Sequence, residues 1–472
     1  MSTDAKKSFL ILQDKNIFKG LLILSLPLML NNLLRTLHDI VDMFFVSRIE
    51  GFSTESVSAI QLSFPIMFVF IALALGLSVA GVALISQFIG AKKYEDALHY
   101  AGQLVWVALI AAAIFTTMAY VLAPVIVGAM GATGYVFENT VAYIQIRAFE
   151  LPYVFTFFAL LAVRQSSGDT LSPVYIGGAA LILNSIFSPI FVQVLGLGVP
   201  GAAYATVLGN YIMLPFAIHR LFFAKTGIRL KLRALKPDFK VMRMIVKIAI
   251  PASFGQSLTA VGFGVINSII FAYGVATVAA FGIGNRITTL VLLPVMAMGS
   301  VISAFVGQNI GALQKERARE VFKKALILTT SILFVGAMIM MPLRPYIVGL
   351  FIQDDPVAKA LSVEYLFYIL AALPLMGVYQ TFIGTFNGTG YTRYSFLLAV
   401  IRLWALRIPV ILIFREFTEL GPSGIWYAIL ISNLTMAFIG ALFYQKISFE
   451  PRVEKLKKTA RNARLEPLKN SA

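Results

Sequence analysis

The 472-residue sequence contains no cysteine and only three histidines, at positions 38, 99 and 219. Without cysteine, neither a disulfide framework nor a thiolate metal site can form, and the chain gives no information about its redox compartment. The histidines do not have the spacing of metal ligands. We therefore expect no cofactor and no catalytic or structural metal site.

Motifs of enzymes and of nucleotide hydrolysis are also absent. The chain has no Gly-x-x-x-x-Gly-Lys-Ser/Thr loop, no His-Glu-x-x-His and no Gly-x-Ser-x-Gly. These motifs bind phosphates, hold zinc and place a nucleophile, respectively. We predict that the protein is not an enzyme and that any work it does is driven by a gradient of an ion or of a substrate.

Charge is scarce and apolar residues are abundant. Hydrophobic residues make up 59% of the chain and charged residues 13%, with a mean hydropathy of +0.84, whereas soluble domains carry about twice this share of charge. Apolar runs of about 20 residues, enough to cross a hydrocarbon core of about 30 Å as a helix, recur along nearly the whole chain. The first run is too long for a signal-peptide core and lacks a cleavage pattern. These features predict an all-α integral membrane protein with twelve transmembrane helices.

Glycine, proline and charge divide the chain into two halves of six spans each. We place the spans near 17–47, 54–87, 97–127, 135–165, 171–195 and 199–224, and then near 241–273, 276–308, 318–351, 357–387, 393–417 and 422–446. Five segments follow from this division: an N-terminus at 1–16, a first lobe at 17–224, a basic linker at 225–240, a second lobe at 241–446 and a basic tail at 447–472.

The net charge of +17 comes from lysines and arginines between the spans. If the spans alternate in direction, all basic clusters lie on one side of the membrane, and the connections on the other side carry few positive charges. By the positive-inside rule, both termini and the linker are expected in the cytoplasm of a multi-pass protein of the cell membrane. Nucleic acid is not an expected partner. The basic tail either sets orientation or contacts anionic lipid head groups.

The two halves contain matching segments at a nearly constant offset, which indicates an internal repeat. Segment 86–91 (SQFIGA) matches 307–312 (GQNIGA), Ser167–Thr170 matches Thr389–Thr392, and 201–205 matches 424–428. Since each half has an even number of spans, the two repeats enter from the same side, and their pseudo-two-fold axis lies along the membrane normal. Such a pair encloses a central cleft, which favours transport by alternating access.

The order and spacing of several segments resemble the multidrug and toxic compound extrusion (MATE) transporters of the wider flippase superfamily. These segments are Leu26-Pro27 and 41–46 (VDMFFV) in the first span, Gln87–Ala91, Arg164–Thr170, Asn184, and Gly198–Thr206. The likeness covers almost the whole chain. The lack of an acidic residue deep in spans seven and eight is more similar to the DinF-type branch than to the NorM-type branch.

The resemblance implies roles for particular residues of the first lobe. It implies that Asp42 is the coupling carboxylate, that Pro27 lets the first helix bend, and that residues at Asn184, Ser188 and Thr206 complete a site for H⁺ or Na⁺. The sequence departs from the family at Ser188, where an aspartate is common. An acid deep in a span is costly and normally faces a cavity or a partner. Asp42 is therefore also our strongest candidate on physical grounds, the alternative being a structural carboxylate.

Two basic residues near Asp42 form a second departure from the family. Arg35, His38 and Asp42 lie on one face of the first helix. If Arg35 reaches Asp42, it favours the charged carboxylate and opposes both protonation and sodium binding, while His38 is an alternative titrating group. Arg35 has an equally good partner in Asp39.

Further charged and polar residues lie within predicted spans. Arg147 and Glu150, three residues apart, can neutralise each other, and we expect a structural pair more than a ligand contact. Arg402 and Arg407 either satisfy carbonyls or bind an anionic part of a substrate. Neutral candidates for a cavity, with helix association as the alternative for each, are Gln61, Gln256, Asn267 and Gln380.

Three functional hypotheses remain. The first is a secondary active antiporter that exports amphipathic, cationic organic compounds in exchange for H⁺ or Na⁺, with protons favoured because one ligand carboxylate is missing. The second is a flippase or exporter of an anionic lipid-linked or metabolite substrate, suggested by the arginines within spans. The third, a channel or receptor, fits poorly with two lobes around a cleft. In the first case the expected partners are a small organic substrate and membrane lipids, and the protein is a monomer.

Overall fold

A computed structural model describes residues 11–49, 51–223, 227–352 and 355–452. Within two helices of this part, a few side chains are not described, at positions 35, 36, 38–40, 42, 43, 53 and 54. All long regular elements of the described residues are helices. In a bilayer this is the expected outcome, because a helix satisfies its backbone N–H and C=O groups internally.

Thirteen α-helices longer than eight residues are numbered here in chain order. They are α1 (Ile17–Val46), α2 (Ser53–Gly90), α3 (Tyr94–Ala129), α4 (Gly134–Ala148), α5 (Leu151–Ser166), α6 (Leu171–Pro189), α7 (Gly198–Phe223), α8 (Phe239–Phe271), α9 (Val275–Gly311), α10 (Lys315–Phe351), α11 (Pro356–Gly388), α12 (Thr392–Phe417) and α13 (Ser423–Lys446). Counting the bent pair α4–α5 as one, twelve of these segments are long and apolar enough to span a membrane. The prediction of twelve helices is confirmed, and each predicted span end lies within a helical turn of the observed one.

The fourth span consists of two helices, because α4 and α5 meet at an angle of 47°. Pro152 stands at the start of α5. Proline has no N–H to donate to the carbonyl four residues earlier, and its ring clashes with that carbonyl. The carbonyl concerned is that of Ala148, which instead accepts a hydrogen bond of 3.2 Å from Thr116 Oγ1 on α3.

Two spans contain π-helical turns, which the sequence analysis did not predict. α6 continues as a π-helix over Ile190–Val194, and the residues Ile401–Arg407 of α12 are π-helical. Such turns are rare and often lie at functional sites. The turn in α12 contains both Arg402 and Arg407.

The helices form two lobes, α1–α7 and α8–α13, that meet mainly where α2 packs along α8 and α9. At the ends of α2 and α9 the matched segments of the repeat lie against each other. A β-carbon on Gly90 would overlap the carbonyl oxygen of Gln308, and one on Gly311 would overlap that of Gln87. Glycine at these two equivalent positions therefore lets the backbones of the two lobes touch.

Both ends of the described chain reach across to the opposite lobe at this point, which we call the terminus side. Asn309 Nδ2 of the second lobe donates a hydrogen bond of 3.2 Å to the carbonyl of Ile11, and Arg317 bonds the carbonyl of Asp14 at 2.7 Å. In the other direction, the backbone N–H of Arg452 donates to Gln87 Oε1 of the first lobe at 3.0 Å. The lobes are thus joined on the terminus side by backbone contact and by both chain ends.

The linker between the lobes is fixed to α3. Gln103 Nε2 donates to the carbonyls of Ala234 and Lys236 at 3.2 and 2.8 Å, and Asp238 caps α8 by accepting from the backbone N–H groups of Lys240 and Val241. His99 Nε2 lies 3.1 Å from Asp238 Oδ2. This hydrogen bond, together with those from the two backbone N–H groups, lowers the pKa of Asp238 below its ordinary value of 3.8.

Candidate functional site

The first lobe contains a cavity of about 220 Å³ among α1, α2, α4–α7. Its walls are mainly aromatic and apolar, and a few polar groups of α1, α4, α5 and α7 project into it. The lining residues used below are Asn31, Phe64, Phe68, Tyr143, Arg147, Glu150, Tyr153, Phe157, Phe158, Gly177, Ala180 and Asn210. An apolar cavity with a few convergent polar groups is the usual form of a site for small organic molecules.

The polar groups of this cavity form one hydrogen-bonded network. Arg147 Nε lies 2.5 Å from Glu150 Oε2, and Arg147 also donates to the hydroxyl of Tyr143 at 2.9 Å. Asn210 Nδ2 donates to the other carboxylate oxygen of Glu150 at 2.8 Å. The ion pair predicted from sequence is therefore present, and both of its members line the cavity.

The three residues expected around a coupling ion lie next to this cavity. Asn184, Ser188 and Thr206 are fully buried, and Asn184 Nδ2 donates a hydrogen bond of 3.1 Å to Thr206 Oγ1. Asn184 stands one helical turn beyond Ala180 on α6, and Thr206 one turn before Asn210 on α7. Side chains four residues apart lie on the same helix face. Asn184 and Thr206 therefore lie on the helix faces that line the cavity, one turn beyond its wall.

The first helix contributes to the same region. Pro27 lies inside α1, and Asn31 Oδ1 lies against Gly177 of α6, where the absence of a side chain leaves room for it. The side chains of Arg35, His38 and Asp42 lie outside the described residues. Among the residues that are described, no group of three or more histidine or acidic side chains could hold a metal ion.

The second lobe has a buried basic centre instead. Arg407 donates to Ser432 Oγ at 3.0 Å and to Asn433 Oδ1 at 2.9 Å. Arg402 lies with its guanidinium 4.2 Å from the centre of the Tyr379 ring, and its Nη1 is 3.2 Å from Met376 Sδ. Both arginines are 5% exposed. Within the described part of the chain, neither guanidinium donates to a backbone carbonyl, which is one of the two roles predicted for these arginines.

The neutral polar candidates are spread over the helices rather than gathered in one place. Gln61 on α2, Gln256 and Asn267 on α8 are exposed, whereas Gln380 on α11 is partly buried. None of the four lines the cavity of the first lobe.

Several residues that hydrogen-bond within the two polar centres were not singled out from sequence. Tyr143 and Asn210 belong to the network of the first lobe, and Ser432 and Asn433 belong to that of the second. The signal was present in the repeat, because Asn210 and Asn433 are 223 residues apart, as are the matched segments 201–205 and 424–428. Comparing the two halves along the spans, and not only at the loops, predicts that Asn210 and Asn433 are equivalent.

Comparison with known proteins places these features in a family. The MatE family model matches the chain twice, over residues 27–190 and 251–413. One match covers most of the first lobe and the other most of the second, which agrees with the internal repeat. Together the two matches cover more than half of the chain.

Individual relatives are similar over nearly their whole length. The probable multidrug resistance protein YoeA of Bacillus subtilis (strain 168) is 25% identical over 88% of this chain and 92% of its own. The multidrug export protein MepA of Staphylococcus aureus (strain N315) is 26% identical over 90% of this chain and 93% of its own. A solved outward-facing structure of a multidrug resistance MATE family transporter is 26% identical, covers 93% of this chain and 97% of its own, and has a TM-score of 0.84.

Proposed function

Since the chain belongs to the MATE family of multidrug efflux transporters, we propose that it is a secondary active antiporter that exports amphipathic, cationic organic compounds in exchange for protons. It is a transporter and not an enzyme. The observation that carries the proposal is the cavity of the first lobe, whose aromatic walls continue into the buried polar group of Asn184 and Thr206.

The aromatic walls support an organic cation as the substrate. Phe64, Phe68, Tyr153, Phe157 and Phe158 line the cavity, and aromatic faces attract cations, by about 2 kcal/mol or more where water is excluded. Because Arg147 neutralises Glu150, the described cavity has no net charge. Recognition of the cation then rests on ring faces and not on a simple charge pair.

Asp42 is the proposed coupling carboxylate. Positions 31 and 42 of α1 are eleven residues apart, which is close to three helical turns, so position 42 is on the face that Asn31 presents to the cavity. An acidic residue within a span is costly and normally faces a cavity or a partner. Serine at position 188 supplies no second carboxylate, which favours H⁺ over Na⁺ as the coupling ion.

Closure of the lobes on the terminus side supports alternating access. Both termini are proposed to be cytoplasmic, from the distribution of lysine and arginine, so the structure corresponds to a state that is closed toward the cytoplasm. We further propose that the protein is a monomer in the cell membrane and that it needs no cofactor. Its basic tail is proposed to contact lipid head groups, and the chain is proposed to belong to the DinF-like branch.

The test is efflux of a fluorescent organic cation, ethidium, from proteoliposomes under separate proton and sodium gradients. Wild-type protein is compared with Asp42→Asn and with the matched control Asp39→Asn, which removes a carboxylate from the same helix. We expect efflux that is driven by the proton gradient, lost in Asp42→Asn and retained in Asp39→Asn.

Three outcomes would contradict the proposal. Efflux that follows only the sodium gradient would reject proton coupling, and wild-type protein that moves ethidium under neither gradient would reject export of organic cations. Equal losses in both variants would show that position 42 has no special role.

A further inference from the structure

Two equivalent asparagines of the repeat hold side chains of opposite charge in the two lobes. Asn210 of the first lobe and Asn433 of the second are equivalent, and each holds a buried charged side chain. Asn210 donates from Nδ2 to the Glu150 carboxylate, whereas Asn433 accepts at Oδ1 from the Arg407 guanidinium. Equivalent asparagine side chains thus bind a carboxylate in the first lobe and a guanidinium in the second.

The charge of the second lobe, unlike that of the first, is not compensated. Within the described part of the chain, no carboxylate lies within ion-pair distance of Arg402 or Arg407, whereas Arg147 is paired with Glu150. Two buried guanidinium groups without a counter-charge are costly unless an anion joins them. In a π-helix, backbone hydrogen bonds join residues that are five positions apart. Residues 402 and 407, five positions apart in the π-helical turn of α12, therefore lie on one helix face.

Donor groups without acceptors point to the same conclusion. Arg402 Nε is buried without a hydrogen-bond partner, and so is Trp426 Nε1. Trp426 packs in the same core as Leu403, which lies between the two arginines in sequence. Buried donors normally find acceptors, and here the protein supplies donors but no matching acceptor.

The position of Arg402 in the repeat indicates that a substrate would supply such an acceptor. Arg402 of the second lobe is equivalent to Ala180 of the first, 222 residues earlier. Ala180 lines the cavity of the first lobe. We propose that Arg402 and Arg407 form a binding site for the carboxylate of an amphipathic organic anion, so that the second lobe recognises negative groups of substrates. This inference rests on the proposed transport function, which makes the lobe interiors the route of organic substrates.

A carboxylate fits the site better than other anions do. The planar fork of a guanidinium matches the two oxygens of a carboxylate, and a single negative charge is easier to dehydrate than a phosphate dianion. Tyr379, whose ring lies against the Arg402 guanidinium, provides aromatic surface for the apolar part of the molecule.

The test is a binding titration of the full chain in nanodiscs of neutral lipid. Benzoate is compared with benzyltrimethylammonium, which has the same ring and the opposite charge, and with chloride. The change in tryptophan fluorescence is the readout, because two of the three tryptophans, Trp404 and Trp426, lie beside the proposed site. The variants are Arg402→Gln, Arg402→Lys and the control Arg344→Gln, whose arginine lies against Phe367 on another helix.

We expect benzoate to bind the wild-type protein and Arg344→Gln equally. Arg402→Gln should weaken benzoate binding by about tenfold or more, the loss expected for one charge-assisted hydrogen bond, without changing the affinity for benzyltrimethylammonium. Arg402→Lys keeps the charge but loses the planar fork, so it should fold even if the glutamine variant does not, and bind benzoate severalfold more weakly.

Wild-type protein that gives no response to benzoate, or variants that bind it as wild type does, would overturn the proposal. Chloride that produces the same response and displaces benzoate completely would also overturn it, since the site would then take an inorganic anion. No gradient is needed for binding, so failure of ethidium efflux with intact, Arg402-dependent benzoate binding would reject the proposed transport and leave this site standing.

Discussion

At the scale of single residues, the ion pair in the first lobe combines burial with mutual neutralisation. Arg147 and Glu150 are 11% and 9% exposed, and each is bonded to further groups of the same cavity. A buried charge that loses its partner keeps the cost of dehydration without the compensating attraction. Loss of either member is therefore expected to destabilise the first lobe around the cavity.

Glu150→Gln should lower the free energy of unfolding by about 3–5 kcal/mol, because it leaves Arg147 buried without a counter-charge. Thermal unfolding of the purified protein measures the loss. The control is Glu95→Gln, which removes an ion pair with Lys231 whose side chains are 84% and 64% exposed, and such pairs contribute little. Similar shifts in the two variants would contradict the role given to burial.

A second prediction concerns Asp238 and pH. Its pKa is lowered in the folded protein, chiefly by the hydrogen bond from His99, so its contribution to stability is present above the unfolded value of 3.8 and is lost as the pH falls through the folded value. Asp238→Asn should therefore lower the unfolding temperature at about pH 7, and the difference from wild type should shrink below about pH 4. A difference that stays constant over this range would exclude the carboxylate as its source.

At the scale of elements, the contact between α2 and α9 depends on two glycines. Gly90 and Gly311 are equivalent in the repeat, and each lies against the backbone of the opposite lobe. A reciprocal contact of this kind can open and close without rearrangement inside either lobe. It is the described feature best suited to a two-position hinge or gate.

Gly311→Ala should hinder closure of the terminus side. Overpacking costs about 1–3 kcal/mol in the closed state, which shifts the balance toward the open state by about tenfold or more and slows ethidium efflux. Because the chain has no cysteine, nitroxide labels can be placed at cysteines introduced at Glu95 and Glu316, exposed and equivalent residues in the first turns of α3 and α10. The distance between the labels should increase in the variant.

The matched control is Gly282→Ala, which changes a glycine of the same helix that has no atom within 4 Å of the added carbon. Its label distances and efflux should equal those of the protein without the substitution. If Gly311→Ala gives the same distances as Gly282→Ala, the glycine contact does not control closure.

At the scale of the whole molecule, the sequence predicted the helices and the two lobes well, since these depend on long apolar runs and on a repeat that is visible in its loops. It did not predict the bend between α4 and α5, since Pro152 lies within a long apolar run and composition alone does not fix the helix directions on its two sides. It also could not show that Glu150 is bonded to Asn210 on α7, since this contact depends on packing between helices that are distant in sequence. The ion-coupling role of Asp42, Asn184, Ser188 and Thr206 stays a prediction.

The crossing of the chain ends to opposite lobes has a practical consequence. Affinity tags and fluorescent proteins are usually fused to chain ends on the assumption that the ends are passive. Here Ile11 and Arg452 are bonded to Asn309 and Gln87, which belong to the helix ends that separate in the proposed transport cycle. A reporter inserted next to Ile11 or Arg452 would therefore act on these helix ends, and the turn at Gly131, away from these contacts, is a better place for it.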